Sequence, residues 1–254
     1  MYGLFHNLRR NLMHNFLYGY EEDHKASLNQ FLAEKRTDNN FKVLDVGGSV
    51  GPWFWDKTDV IFDLIPPTTN YGNTFNGEYI SGNATLPEGW KNLNDYIEKN
   101  GTFDFVICRQ TLEDLGHPEF VVNQLQKVAK AGWIGVPSKH FELMNLQGIY
   151  GCNFATRGLH HHRWIYTSKN GKWYGLPKMG WTDSILDSSL TMKFNGSPWA
   201  HELSFYWEKN IDVFWVLPYC DNLPDNYGDE FVRSCLKGVQ HPWDLWINIL
   251  NNSD

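Results

Sequence analysis

Two groups of residues in this chain have the types and spacing for chemistry, and the first surrounds a glycine turn. Val43, Leu44 and Val46 supply the apolar side chains expected of a parallel strand covered on both faces, and glycines follow at positions 47, 48 and 51. Glycine lets the backbone turn sharply and lets a ligand approach closely. A second apolar run, 59–63, ends in Asp63, whose carboxylate can accept hydrogen bonds from two ribose hydroxyls. We therefore predict that this segment binds an adenosine derivative.

The spacing of the glycines favours an adenosine ligand without a pyrophosphate. The dinucleotide motif G-x-G-x-x-G would need glycine where this chain has Ser49 and Pro52. The segment 52–58 is also shorter than the dozen or so residues that a crossover helix usually takes. Because a helix N-terminus supplies the N–H groups that hold a pyrophosphate, a nicotinamide-dependent oxidoreductase is the weaker alternative.

The second group of residues is rich in histidine. The chain reads His-His-His-Arg-Trp at 160–164, with His140 and Glu142 about twenty residues earlier. An imidazole titrates near neutral pH and suits a general base. Two imidazoles and Glu142 could instead bind a metal ion. Alternatively the histidines are structural, because consecutive side chains on a strand cannot all converge, and the residues alone leave the three interpretations open.

The pattern along the chain predicts a parallel α/β sheet that positions both groups. Strands are expected over 103–108 and 133–137, separated by a helix over about 118–130 with one apolar stripe. Repeated strand–helix–strand units place ligands at the carboxyl ends of the strands. Both groups of residues follow predicted strands, so we expect them at that edge.

The motifs resemble, in order, those of class I S-adenosylmethionine-dependent methyltransferases with a type 11-like domain. The likeness covers roughly residues 40–138 and is carried by Asp45–Pro52, Asp63, Gly82–Ala84, Phe103–Val106 and Thr111–Asp114. It implies an α/β, Rossmann-like fold whose seven-stranded sheet is mostly parallel with an antiparallel C-terminal strand. The stretch 138–200 would be an insertion after the fifth strand.

The resemblance also implies S-adenosyl-L-methionine as the cofactor. The glycine turn would meet its methionine end, Asp63 its ribose, and the Gly82–Ala84 turn its adenine. Most members carry Asp where this chain has Asn83, but an amide oxygen can still accept from the adenine amino group. The candidate cofactor-binding residues are Gly47, Gly48, Ser49, Gly51, Asp63, Asn83, Ala84 and Arg109.

The histidine-rich segment is then expected on the acceptor side, since it follows the strand that ends beside the methyl donor. The predicted catalytic residues are His160, His162 and Glu142, and the predicted substrate contacts are His140, Arg163 and Trp164. This principal hypothesis includes no metal ion. The 12 tryptophans of the chain could stack on sugar rings, so we expect a small, polyhydroxylated or saccharide acceptor. A non-catalytic adenosine-binding module with the same fold is the alternative.

Composition sets further bounds. A chain of 254 residues with 42% apolar content is expected to form one domain, divided into a helical cap (1–40), a cofactor-binding core (41–137), a substrate-side insertion (138–200) and a C-terminal hairpin and tail (201–254). The net charge of −7, without a basic cluster, argues against a nucleic-acid partner. Four cysteines without C-x-x-C spacing, no membrane-length apolar run and no clean signal peptide predict a cytoplasmic protein. The sequence does not indicate an oligomeric state.

Local patterns predict elements at both ends. Apolar residues at helical spacing from Leu4 to Leu17 predict a helix, and a second helix is expected over 25–35. Asn170-Gly171 is a preferred turn dipeptide and predicts a hairpin. The runs 202–207 and 211–217 predict a second hairpin, which would be the final strand pair, and a short helix is expected near 243–249.

Overall fold

The computed structural model describes residues 16–19, 21–37, 40–67, 73–142, 158–169, 172–178 and 201–215. Short 3₁₀ turns occur at Trp55–Lys57, Pro87–Trp90 and Leu112–Asp114. The helices and strands of these residues are β1 (Phe16–Gly19), α1 (Glu21–Lys35), β2 (Val43–Val46), β3 (Val60–Asp63), β4 (Glu78–Ser81), α2 (Lys91–Asn100), β5 (Phe103–Arg109), α3 (Pro118–Val128), β6 (Ala129–Pro137), α4 (Lys139–Glu142), β7 (Trp164–Lys169), β8 (Lys172–Pro177), β9 (Glu202–Glu208) and β10 (Val213–Trp215).

The main sheet has seven strands in the order β1-β9-β6-β5-β2-β3-β4. Strands β6, β5, β2, β3 and β4 pair in parallel, whereas β9 is antiparallel to both of its neighbours. This confirms the predicted sheet, mostly parallel with one antiparallel strand. The turns that follow the five parallel strands therefore share one edge, which we call the carboxyl edge.

Alternation of side chains along the strands builds an apolar layer on each face of the sheet. On β5, Val106 and Cys108 lie on one face and Phe105 and Ile107 on the other, as the period of two requires. The first face is covered by α2 and α3, and the second by Leu28 and Leu32 of α1 with Phe54. The segment 25–35 is thus helical as predicted, within α1. Among the described residues, no helix is long and apolar enough to cross a bilayer.

Two predictions, one of an N-terminal helix and one of a second hairpin, were wrong for the described residues. Phe16 and Leu17 belong to strand β1, which pairs with β9, and not to a helix; residues 1–15 lie outside the described residues. The runs near 202–207 and 211–217 do not form a hairpin, because β10 pairs in parallel with β8 in a separate sheet of order β10-β8-β7. Strand β9 is buried along most of its length and needs partners on both edges, and β1 supplies the second one.

The small sheet confirms the first predicted hairpin. Strands β7 and β8 are antiparallel with Lys169 opposite Lys172, so the chain reverses between these residues. Asn170 and Gly171 themselves, and the helix predicted near 243–249, lie outside the described residues. A parallel bridge between Ser138 and Tyr166 joins this sheet to the end of β6.

A buried carboxylate, Glu202 at the start of β9, connects three elements. Its Oε1 lies 3.0 Å from Nδ1 of His24 in α1. Its Oε2 lies 2.9 Å from Nη2 of Arg109 and accepts a 3.0 Å hydrogen bond from Nε2 of Gln110, both at the end of β5. Glu202 is 1% exposed, so removal of its charge would leave the Arg109 guanidinium without its buried partner.

We predict that Glu202→Ala lowers the free energy of unfolding by about 3–5 kcal/mol, the usual cost of breaking a buried ion pair. Glu208→Ala, at the exposed end of the same strand, should change it by less than about 1 kcal/mol. Urea denaturation of the two variants and the parent measures both. Equal losses in the two variants would contradict the connecting role of Glu202.

Candidate functional site

The glycine turn after β2 wraps over the end of β3. Gly47 has a φ of 83°, which favours glycine, and its N–H donates to the Phe62 carbonyl at 3.0 Å. The N–H of Ser49 donates to Oδ2 of Asp63 at 3.0 Å, and the N–H of Leu64 to Oδ1 at 2.6 Å. The carboxylate is thereby fixed beside the turn, and each oxygen keeps a lone pair for a further donor.

Gly48 is required by space and not by its φ. A Cβ at this position would lie 2.2 Å from Oδ2 of Asp45, on the strand beneath the turn. Asp45 is 4% exposed and was not among the predicted site residues. The sequence does contain a signal for Asp45, namely an acid between the apolar residues Leu44 and Val46 of a predicted buried strand. Acidic side chains are almost never fully buried unless they are paired.

Arg109 and Gln110 form the neighbouring wall at the end of β5. The Arg109 guanidinium lies 3.4 Å from the centre of the Trp53 ring, in a cation–π contact with the short 52–58 crossover. Gly51 packs against the same indole. Gln110 has a φ of 48°, which is uncommon for a residue with a side chain and is typical of functional turns.

The turn after β4 contains the predicted adenine contacts Asn83 and Ala84. Oδ1 of Asn83 accepts hydrogen bonds from the N–H of Thr85 at 3.0 Å and from its hydroxyl at 2.6 Å. This oxygen is therefore engaged within the turn, and the adenine contact of Asn83 stays a prediction. The Ala84 carbonyl likewise accepts from Nε1 of Trp90 at 2.8 Å.

Exposed apolar side chains mark the same end of the sheet. Val50 follows β2, Leu64 and Ile65 follow β3, and Leu86 follows β4, with exposures of 64%, 64%, 49% and 42%. Sequence reasoning missed them because singly exposed apolar residues are common. Their position after three adjacent strands provides apolar surface for a planar base.

On the other half of the carboxyl edge, a β-turn carries the histidines. The N–H of His162 donates to the Leu159 carbonyl at 3.2 Å, so His160 and His161 occupy the turn and are exposed. Nδ1 of His162 lies 2.5 Å from Oε1 of Glu142, which is fully buried. Lys178 donates to the other Glu142 oxygen at 2.8 Å and to the Leu159 carbonyl at 2.7 Å.

This turn is anchored to the segment that follows β5. The N–H of Arg163 donates to the Glu113 carbonyl at 2.6 Å, Nε1 of Trp164 to the Leu115 carbonyl at 2.9 Å, and the Tyr166 hydroxyl to the Leu112 carbonyl at 3.2 Å. The histidine-rich segment therefore lies beside the carboxyl ends of β5 and β6.

The topology and this geometry together match what the resemblance implied: a glycine turn and an acid at the ends of adjacent parallel strands, in a seven-stranded sheet with β9 antiparallel. The chain has the class I methyltransferase fold. No protein-family model and no curated protein sequence match the chain.

Solved methyltransferase structures match at low identity. A candidate methyltransferase from Bacillus halodurans C-125 is 21% identical over 43% of this chain and 50% of that one, with a TM-score of 0.30. An S-adenosylmethionine-dependent methyltransferase from Thermotoga maritima is 10% identical over 73% of this chain and 97% of that one, with a TM-score of 0.36. Magnesium protoporphyrin IX methyltransferase from Synechocystis PCC 6803, with bound S-adenosylhomocysteine, is 14% identical over 80% and 94%, with a TM-score of 0.34. The match thus spans about half the length of the Bacillus protein.

Within the methyltransferase fold, two predicted acceptor-side residues have structural positions. Trp164 is 6% exposed and packs edge-on against Trp215, so it belongs to the core, and its role as a substrate contact stays a prediction. Glu142 has both oxygens bonded to neighbours, so it can act on a substrate only through His162. His140 is half-buried in α4, Arg163 is exposed, and their roles stay predictions.

Glu113, which was not among the predicted site residues, is a fully buried acid at the carboxyl edge. Burial raises its pKa well above the usual range, and the charges of Asp114, Glu142 and Glu202 raise it further. Burial and the neighbouring carboxylates thus both favour the protonated form of this carboxyl group. No partner of its Oε2 is found among the described residues.

Asp45 has a pKa near neutrality. Burial raises the pKa of this carboxyl to about 7, the charge of Asp63 raises it and that of Arg109 lowers it. An unfolded Asp has a pKa of about 3.9, so between about pH 4 and pH 7 the folded protein binds a proton that the unfolded chain does not. The free energy of unfolding therefore falls as the pH rises through this range.

We predict that Asp45→Asn removes this loss. The stability of the variant relative to the parent should rise between pH 5 and pH 8 by about 2–3 kcal/mol. Denaturant titrations at the two pH values measure it, with the exposed Asp56→Asn as the matched control. A relative stability that does not change with pH would show that Asp45 titrates as an ordinary carboxyl.

Proposed function

We propose that the protein is an S-adenosylmethionine-dependent methyltransferase acting on a small, oxygen-rich acceptor such as a saccharide. The observation that carries the proposal is the Asp63 carboxylate, held by the Ser49 and Leu64 N–H groups beside the glycine turn. A carboxylate fixed at the ends of adjacent strands can bind a pair of ribose hydroxyls.

The crossover between β2 and β3 favours this cofactor over a dinucleotide. Residues 47–59 contain a single short 3₁₀ turn, Trp55–Lys57, and no α-helix. A pyrophosphate would find no helix N-terminus there. Adenosine attached to a methionine needs none, and the exposed Leu64 and Ile65 suit its base.

In methyl transfer, an oxygen lone pair of the acceptor attacks the methyl carbon of the sulfonium. The new C–O bond forms as the C–S bond breaks, its electron pair stays on sulfur as a thioether, and the acceptor hydroxyl loses its proton. Much of the catalysis is positioning, but the proton must have a destination. We propose that the departure of this proton depends on His162, oriented by Glu142, and that His160 is the second candidate base.

Charge and composition support a small acceptor in the cytoplasm. The net charge of −7, without a basic cluster, disfavours a nucleic-acid acceptor, and the sparse cysteines favour a reducing compartment. We also propose that the four regions defined in the sequence form a single domain.

The cofactor is tested by calorimetric titration of the protein with S-adenosylmethionine, S-adenosylhomocysteine and NAD in parallel. We expect both adenosyl ligands to bind and NAD not to bind. Asp63→Ala should weaken S-adenosylhomocysteine by about 1.5–3 kcal/mol, or about 10–150-fold, because the ribose hydroxyls lose a charged acceptor. Asp56→Ala, whose side chain is 69% exposed, should bind like the parent. Unchanged affinity in Asp63→Ala, or tighter binding of NAD, would overturn the proposal.

The acceptor is tested by transfer of a labelled methyl group from S-adenosylmethionine to a panel of saccharides and other polyhydroxylated compounds. With an accepted substrate, His162→Ala should lower turnover by about 10²–10⁴-fold while S-adenosylhomocysteine affinity stays unchanged. His117→Ala, at a histidine whose side chain is 75% exposed, is the matched control. Equal activity of the two variants would exclude a role for His162.

A further inference from the structure

We propose that Asp114, His161 and His162 bind a divalent transition-metal ion, with Glu142 as the residue that orients His162. A carboxylate oxygen of Asp114 and one ring nitrogen of each histidine lie within 4.8 Å of one another. Nε2 of His161 and Oδ1 of Asp114 are 3.9 Å apart. Ligand atoms around a tetrahedral zinc ion are about 3.3 Å apart, so small rotations of exposed side chains would close the site.

The local backbone explains how two adjacent histidines can converge. They lie in the Leu159–His162 turn and not on a strand, and their ring centres are 4.6 Å apart. The turn is fixed from below by Gly158, where a Cβ would lie 2.7 Å from the Cα of Glu142. Asp114 reaches the same place because its neighbour Glu113 accepts the 2.6 Å hydrogen bond from the Arg163 N–H.

Glu142 prepares His162 for ligation. Its Oε1 bonds Nδ1 of His162 at 2.5 Å, which leaves Nε2 as the nitrogen able to bind an ion. Histidine ligands commonly have a carboxylate on the second ring nitrogen, which fixes the tautomer and the ring orientation. Lys178 compensates the buried Glu142 charge from its other oxygen. Glu142 is thus outside the ligand set, in contrast to the metal site considered from the sequence.

The donor set and its exposure suit an ion that also binds a ligand from solution. Two imidazoles and one carboxylate are typical of zinc, iron and related ions, and three protein ligands leave coordination positions open. The side chains of His161 and Asp114 are 53% and 44% exposed, so the open positions face solvent. With an ion bound, His162 is a ligand and not the base, and the ion would hold an acceptor hydroxyl and lower its pKa. This role rests on the methyl transfer proposed above, whereas ion binding itself does not.

The test is titration of the chelator-treated full chain with Co²⁺, followed by its visible d–d absorption, and then displacement by Zn²⁺. We expect saturable binding at one ion per chain. His161→Ala and Asp114→Asn lie at exposed positions and should not affect folding. Each should weaken Co²⁺ binding by at least about 10–100-fold, which is the usual loss when a residue that only orients a ligand is changed. Glu142→Gln removes such an orienting residue and should weaken binding within that range. His160→Ala, which removes the adjacent exposed histidine outside the set, should leave the affinity unchanged.

Absence of saturable Co²⁺ binding, or equal losses in His160→Ala and His161→Ala, would overturn the site. Circular dichroism of each variant confirms that it is folded. Titration of the same samples with S-adenosylhomocysteine separates the two proposals. If the cofactor binds and Co²⁺ does not, the metal site alone is wrong, and the reverse result refutes only the methyltransferase proposal.

Discussion

The carboxyl edge depends on the buried Glu202 carboxylate more than on any other single group. Its two oxygens connect His24 of α1, Arg109 and Gln110 at the end of β5, and β9 itself. Without this anchor the Arg109 guanidinium would not be held against the Trp53 ring. The glycine turn, the short crossover and the end of β5 would then lose their common boundary, because Trp53 and Gly51 belong to the first two and Arg109 to the third.

The same residue explains why the N-terminal part of the chain matters to the site. Strand β1 completes the far side of β9, and α1 begins two residues later. We expected a final hairpin to pair β9 with the strand that follows it. The partner of β9 is instead β1, and β10 extends the small sheet. The start of the chain therefore supports β9, and β9 supports the end of β5 through Glu202.

The glycine turn and the acid beside it, which we propose as the cofactor half of the site, could be predicted because their signals are local in sequence. The strand before the turn, Gly47 and Asp63 lie within a short stretch, and the backbone itself requires them. The acceptor half could not be predicted in detail because its contacts are remote. Glu142 and Lys178 are 36 positions apart, and Trp164 bonds a carbonyl 49 positions away. The strand geometry assumed for the histidines was also wrong, since they lie in a turn where neighbouring side chains can meet.

The charges at the carboxyl edge favour a cationic ligand over a dinucleotide. The described part of the carboxyl edge carries six acids, Asp45, Asp63, Glu113, Asp114, Glu142 and Glu202, and four bases, Arg109, Lys139, Arg163 and Lys178. Arg109 is paired with Glu202 and Lys178 with Glu142. Carboxylates at this edge attract cations and disfavour the pyrophosphate of a dinucleotide. A sulfonium cofactor carries its formal positive charge on the sulfur that bears the transferred methyl group. Burial raises the pKa of Asp45 to about 7, and a cation bound beside this carboxyl group would lower that pKa. The same field favours a divalent ion at Asp114, and both proposed ligands therefore follow from one distribution of charge.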